Sequence, residues 1–211
     1  MFTALPYTDG MIADATDTRF SDFTGRARLV AALDAAAAGA DVAMAVARVE
    51  RVLLDAIADP LIVLPDCVHA PITDHYARRE LYRSARHGYS IVAMTWGPGQ
   101  GTPLHDHDGL WCVEGVWQGT LHITPHRLLE TRGGEHRLLP LPTLAGERGS
   151  TGNLIPPDEY HVLRNASDEE IAISVHVYQR PLEHCAVFVP VAGRGDWYRR
   201  ESRLMQTDTV V

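Results

Sequence analysis

Gly99-Gln100-Gly101-Thr102-Pro103-Leu104-His105-Asp106-His107 is the stretch on which the reading of this chain turns. On an extended segment side chains alternate between faces, so His105 and His107 point the same way and can bind one ion together. An isolated His-x-His is also how an ordinary surface pair of histidines looks, so its surroundings decide. On either side of it lie short runs rich in Val, Ile, Tyr and Trp, bounded by Gly, Pro, Asn or Asp: Tyr89–Trp96, Trp111–Trp117, Thr120–Thr124, Tyr160–Leu163, Ile171–Tyr178 and Ala186–Val189. Such a series predicts a mainly β protein, an antiparallel barrel or sandwich. Upstream, Arg26–Ile57 is Ala-rich and free of proline, and Val42, Val46, Val49, Val52, Leu53 and Ile57 recur at spacings of three and four. That pattern predicts amphipathic helix, with Gly39 separating two helices. Asp74–Arg86, after Pro60, Pro65 and Pro71, is either a short helix or the lead-in to the first strand.

Composition narrows the partners. The chain has 211 residues, 45% of them hydrophobic, enough for one full-sized core and too few for two. With 19 basic against 27 acidic residues the formal charge is −8, so no basic field attracts nucleic acid or an anionic membrane surface. Leu29–Val49 is interrupted by Asp34, Gly39 and Asp41, and so does not read as a membrane span. Met1–Phe20 lacks a basic start followed by an apolar run, which argues against a signal peptide and for a cytoplasmic protein. Three scattered cysteines, Cys67, Cys112 and Cys185, make no disulfide framework, and Cys67 and Cys185 read as buried apolar residues. Eleven histidines are many for this length. The organisation expected is a helical segment over 1–75 packed on a β-barrel over 76–205, one structural domain, with a loose tail over 206–211.

Around the His pair, Gly99, His105, His107 and Gly119 stand in the register of the first cupin motif, a glycine, a His-x-His, an acidic position and a closing glycine. Pro156-Pro157-Asp158-Glu159-Tyr160-His161-Val162-Leu163-Arg164-Asn165 matches the second, with Asp158 where glycine is usual. The chain therefore resembles the cupin superfamily, which implies a jelly-roll-like barrel and a metal held by His105, His107 and His161. The motif's Glu position is occupied by Cys112. A three-histidine site without a carboxylate leaves a divalent ion with its full charge, which favours an anionic ligand such as a thiolate and suits iron, zinc or copper.

Within the cupins the pattern is similar to the cysteine dioxygenase family, non-haem iron enzymes that convert a thiol to a sulfinic acid. Cys112 follows His105 by seven residues; Ser174-Val175-His176-Val177-Tyr178 matches that family's Ser-x-His-x-Tyr; Tyr76-Ala77-Arg78 matches its Tyr-x-Arg; and Trp96-Gly97-Pro98-Gly99 precedes the His pair. The resemblance covers roughly Tyr76 to Phe188. It implies Fe(II) as cofactor, a small thiol and O2 as substrates, and no external reductant. Arg78, beside Tyr76, would hold the substrate carboxylate. Ser174 and His176 would orient the Tyr178 phenol, and Cys112 and Tyr178 would be the pair joined by the thioether of mammalian-type members. The period of two supports that set: Ser174, His176 and Tyr178 share one face of their strand, available to a barrel lumen, while Ile171, Ile173, Val175 and Val177 share the other. Arg79, Arg83 and Arg164 compete with Arg78 for the carboxylate, and His176 competes as a fourth ligand.

After Tyr178 the chain departs from the mammalian type, with Gln179-Arg180-Pro181 in place of Ser-Pro-Pro. L-cysteine is the substrate the resemblance favours, because relatives acting on 3-mercaptopropionate typically carry Gly at the Cys112 position and lack the Arg of Tyr-x-Arg. Oxidation of 3-mercaptopropionate or another small thiol is the alternative. Two readings of other classes use the same histidines: a cupin that binds a metal or ligand without turnover, and a zinc or nickel isomerase or hydrolase. A monomer or small homo-oligomer is expected. His69, His75, His87, His122, His126, His136 and His184 acquire no role from spacing.

Overall fold

The computed structural model describes residues 22–39 and 41–210. The reading of Met1–Phe20 lies outside them. Two helices, α1 (Arg26–Ala37) and α2 (Val42–Ala58), precede eleven strands: β1 (Ala77–Arg83), β2 (Ser90–Trp96), β3 (Cys112–Gln118), β4 (Thr120–Arg132), β5 (Glu135–Pro140), β6 (Leu144–Glu147), β7 (Thr151–Leu154), β8 (Tyr160–Asn165), β9 (Ala172–Tyr178), β10 (His184–Pro190) and β11 (Trp197–Leu204). A single 3-10 turn, Asp66–His69, lies between helices and strands. One sheet runs β1-β2-β9-β3-β7 and the other β10-β11-β5-β4-β6, with β8 also on β4; all the pairings are antiparallel. This is the mainly β, cupin-type barrel the sequence points to, and Asp74–Arg86 is resolved in favour of strand.

The first sheet has two different faces. Its outer face, with Ile91, Ala93, Val113, Ile173, Val175 and Val177, packs against Leu29, Leu33, Val46, Val49, Leu53 and Ile57 of the helices. Asp41 caps α2 by accepting from the Met44 N–H at 2.9 Å. Of the apolar periodic positions, Val42 at its solvent end remains 44% exposed, while Val46, Val49, Leu53 and Ile57 are buried. Gly115 permits the close approach, since a β-carbon there would stand 2.7 Å from Ile57 Cδ1. The inner face, with Val92, Met94, Trp96, Cys112, Val116 and Tyr178, lines the lumen together with Leu121 and Leu163 of the second sheet.

The segment before β3 is inserted into the second sheet. His105 forms antiparallel bridges to His161 of β8 on one side and to Val187 of β10 on the other. Gly101 makes room for this, because a β-carbon there would lie 2.6 Å from the Leu163 carbonyl oxygen. The C-terminal residues are not the loose tail expected from sequence. Arg78 Nη1 donates to the Gln206 carbonyl at 3.0 Å, the Asp208 carboxylate accepts the Arg78 N–H at 2.8 Å, and Asp208 N–H donates to the Arg78 carbonyl at 2.7 Å. β1 is an edge strand with unpaired backbone groups, and the tail supplies them with partners.

Candidate metal centre

Two chain segments far apart in sequence carry the ligand histidines, and their polar side chains stitch them together. His105 and His161 exchange backbone hydrogen bonds at 3.2 and 3.3 Å. The Glu159 carboxylate accepts the N–H of His107 at 2.9 Å and of Gly109 at 3.3 Å, and Asp106, between the two histidines, accepts the Ala186 N–H at 2.7 Å. Asn165 Nδ2 donates to the carbonyls of Trp96 and Gly97 at 3.1 and 3.0 Å, which fixes the end of β8 against the start of the His-bearing loop. The motif's Asn is therefore a structural tie. Sequence reasoning passed over Glu159 and Asp106 because exposed carboxylates are the ordinary case and only the fold buries these two.

One ring nitrogen from each of His105, His107 and His161 falls within a cluster whose members lie within 4.8 Å of one another, the only such cluster among the described residues. His105 Nδ1 lies 3.1 Å from the Pro103 carbonyl, which leaves Nε2 for an ion. Both ring nitrogens of His161 and Nδ1 of His107 are buried without a hydrogen-bond partner. Buried polar atoms rarely go unpaired, so these orphans mark a place that a metal would fill. Burial holds all three imidazoles toward the neutral, ligating form: His105 is lowered to about 4, and His107 and His161 well below their ordinary value.

The lumen row on β9 lies beside this cluster. Trp96 Nε1 donates to Ser174 Oγ at 2.9 Å, and Ser174 Oγ lies 2.8 Å from His176 Nε2. From His176 the chain turns to Cys112, whose Sγ lies 3.9 Å from His176 Nδ1. His176 and Tyr178 stack with ring centroids 5.9 Å apart, and no hydrogen bond joins them, so the expected relay from Ser174 through His176 to Tyr178 is present only in its first half. Tyr178 instead presents its ring to His107 at 5.9 Å. Register pairs Cys112 directly with Tyr178 across β3 and β9, and burial drives thiol and phenol well above their usual ranges. His176 is lowered to about 3, by burial first and then by the charge of Arg78, and it stands outside the ligand cluster.

Arg78 faces the lumen, opposite Met94, and is 4% exposed. Its Nε is buried without a partner. The competing arginines are placed elsewhere: Arg79 lies on the outer face, donating to Thr95 and the Ala70 carbonyl, Arg83 pairs with Glu80, and Arg164 is exposed. Tyr76 stacks on Trp96 at 4.7 Å. Among the other histidines, His75 binds Asp74 and Asp208 and so helps hold the C-terminal segment. Cys185 is buried and Cys67 half-buried; both thiols are free.

The ligand cluster holds three histidines and no carboxylate, as expected with Cys112 at the motif's Glu position. Behind it, however, lies a lumen group the sequence reading passed over: Glu114, two residues on and on the same strand face, is 8% exposed and lies beside His161 and His176. Burial pushes its carboxyl up to about 8. The period of two that exposed the β9 row contained this signal.

A lumen trio of histidines inside such a barrel defines a cupin. Comparison with known proteins narrows this further: the family model of cysteine dioxygenase type I matches residues 70–190, more than half of the chain, and the chain belongs to that family. Cysteine dioxygenase type 1 of Bos taurus is 26% identical over 57% of this chain and 60% of its own length; that of Homo sapiens is 27% identical over 54% and 59%. The chain thus spans about 60% of the length of these relatives. Similar solved structures include a double-stranded β-helix domain protein from Klebsiella pneumoniae (18% identical, TM-score 0.41, 57% of this chain and 90% of that one). An oxalate oxidase in complex with the substrate analogue glycolate is 20% identical, with TM-score 0.41 over 56% of each chain.

Proposed function

We propose that this protein is an iron-dependent thiol dioxygenase that converts a small thiol carboxylate, L-cysteine foremost, to its sulfinic acid. The thiolate sulfur gains both atoms of one O2, and no external reductant is consumed. One observation carries the reading: three clustered imidazoles, those of His107 and His161 with unpartnered buried ring nitrogens, share a lumen with the buried, partner-free Nε of Arg78. Three imidazoles suit Fe(II), which when bound supplies the redox chemistry toward O2 and a Lewis-acid hold on a thiolate.

The side chains of the chain have separate tasks. Arg78 meets the substrate carboxylate with a charge-assisted hydrogen bond in a dry pocket, fixing which end of the molecule faces the histidines. Tyr76 supports that side by stacking on Trp96. The Tyr178 hydroxyl, on a phenol held neutral by burial, donates a hydrogen bond to the reacting group. Ser174 and Trp96 hold His176 in place. Cys112 and Tyr178 are the pair that a thioether cross-link would join, the thiol and the phenol ring together losing two hydrogen atoms to O2, a reading supported by their direct pairing across β3 and β9. Free thiols persist in a reducing compartment, which fits a cytoplasmic enzyme of cysteine catabolism.

The test is oxygen uptake by the iron-loaded protein with L-cysteine, 3-mercaptopropionate, cysteamine and mercaptosuccinate, with sulfinate identified by mass. Cysteine is expected to turn over and cysteamine, which lacks a carboxylate, to fail. Faster oxidation of 3-mercaptopropionate would move the substrate assignment. Inactivity toward all four with iron bound would leave a metal- or ligand-binding cupin.

A further inference from the structure

Glu114 is a lumen carboxylate for which the proposed reaction has no use. Its Oε1 lies 3.8 Å from His161 Nδ1 and its Oε2 3.5 Å from His176 Nδ1, and Oε2 has no hydrogen-bond partner. Those two imidazoles are its ion-pairing neighbours among the described residues. A carboxyl buried beside two imidazoles gains a hydrogen-bond partner when one ring carries its proton on the facing nitrogen. A histidine that gives one nitrogen to a metal must carry its proton on the other, and in a dry lumen that N–H needs an acceptor. Glu114 Oε1 is the acceptor facing His161 Nδ1, and a movement of under about 1 Å brings it to hydrogen-bond length.

We propose that Glu114 is the positioning residue of the metal centre: its carboxylate accepts the Nδ1–H of His161, fixes the tautomer that leaves Nε2 for the ion, and offsets part of the ion's charge. It stands behind the ligand rather than in the ligand set, since it is not a member of the cluster formed by His105, His107 and His161. The centre is thereby placed between opposite charges, Arg78 on the substrate side and Glu114 behind His161. The inference rests on the three histidines binding a divalent ion, and its test is independent of thiol oxidation.

Wild type, Glu114→Gln and Glu114→Leu, freed of metal, are titrated anaerobically with Co(II) and Fe(II) by calorimetry, and the Fe(III)/Fe(II) potential of each loaded protein is measured. Glu114 lines a cavity of about 330 Å³, so both replacements have room, and the melting temperatures of the metal-free proteins check that they fold. Glu114→Leu is expected to bind about 10–100-fold more weakly. Glu114→Gln, whose amide oxygen still accepts the N–H, is expected to recover part of that loss while its potential stays raised. Equal affinity and potential in all three proteins would overturn the proposal. So would X-ray absorption showing a carboxylate oxygen in the Co(II) shell of wild type and not of Glu114→Gln, which would make Glu114 a ligand. Failure of the wild type to bind either ion would instead remove the metal site itself.

Discussion

The two faces of β9 carry opposite assignments within seven residues. Ile173, Val175 and Val177 join the apolar cluster with the helices; Ser174, His176 and Tyr178 meet the lumen, where Ser174 and His176 are hydrogen-bonded to each other. Every residue of the strand is buried, so burial alone does not distinguish the faces. What separates them is the filling on either side. The outer layer derives its stability mainly from apolar area, and the charged groups at its margin, Arg79 and Asp34, are hydrogen-bonded, whereas the lumen keeps buried polar groups that a metal and a substrate would satisfy. Fold and chemistry thus reside on opposite sides of one strand.

That division can be broken by substitution. Val175→Asp, at a position with 0% exposure, places an unpaired carboxylate against the helices and is expected to cost about 3–5 kcal/mol, read by chemical denaturation. His161→Ala should leave the melting curve of the metal-free protein near that of wild type while removing metal and lowering turnover by at least ~100-fold, since even outer partners of ligands cost that much. Were His161→Ala to unfold the chain as Val175→Asp does, the lumen would be part of the structural core and the division would be false. Arg78→Ala should retain iron and lose about 10–100-fold in kcat/KM for carboxylate-bearing thiols, the worth of one hydrogen bond to a charged group. Tyr178→Phe should also retain iron and slow or uncouple oxidation; full activity would end its catalytic role.

The smallest effect sharpens the boundary at the C-terminal segment. Hydrogen bonds that His75 donates to Asp208 first and Asp74 second raise its pKa above 6.5. A raised histidine contributes its stabilisation fully below the unfolded value and loses it as pH climbs through the folded one. The segment that covers Arg78 should therefore loosen on the alkaline side, seen as lower amide protection factors across Met205–Val210 at pH 9 than at pH 6, after division by the base-catalysed intrinsic rates. Protection that is flat, or that rises with pH, would show that the His75 contact does not hold it.

Much of this was legible in the sequence for local reasons. The helix period in Val46, Val49, Leu53 and Ile57 and the strand period in Ile171–Tyr178 each predicted the buried face, because alternation and the 3.6-residue turn are properties of the backbone. The missed elements, β5, β6, β7 and β11, are short or largely exposed and carry no apolar alternation to betray them. The C-terminal residues carry no signal at all, since their order comes from the edge of β1, 130 positions away at the Arg78–Asp208 bond. Hydrogen bonds to a distant backbone leave no trace in local composition.

By itself the sequence determined which residues have the chemistry to act: the His-x-His pair and the later histidine at motif spacing, the Cys at the acidic position, and the arginine after Tyr76. Only the tertiary structure decided which of them meet. It turned Arg78 inward and Arg79 outward, led the polar chain from His176 to Cys112 rather than to Tyr178, and set the buried Glu114 behind the histidine cluster. The physical reason is that a side chain's charge and shape are local properties, whereas desolvation, which gives an ion or an orphaned nitrogen its meaning, belongs to the packed whole.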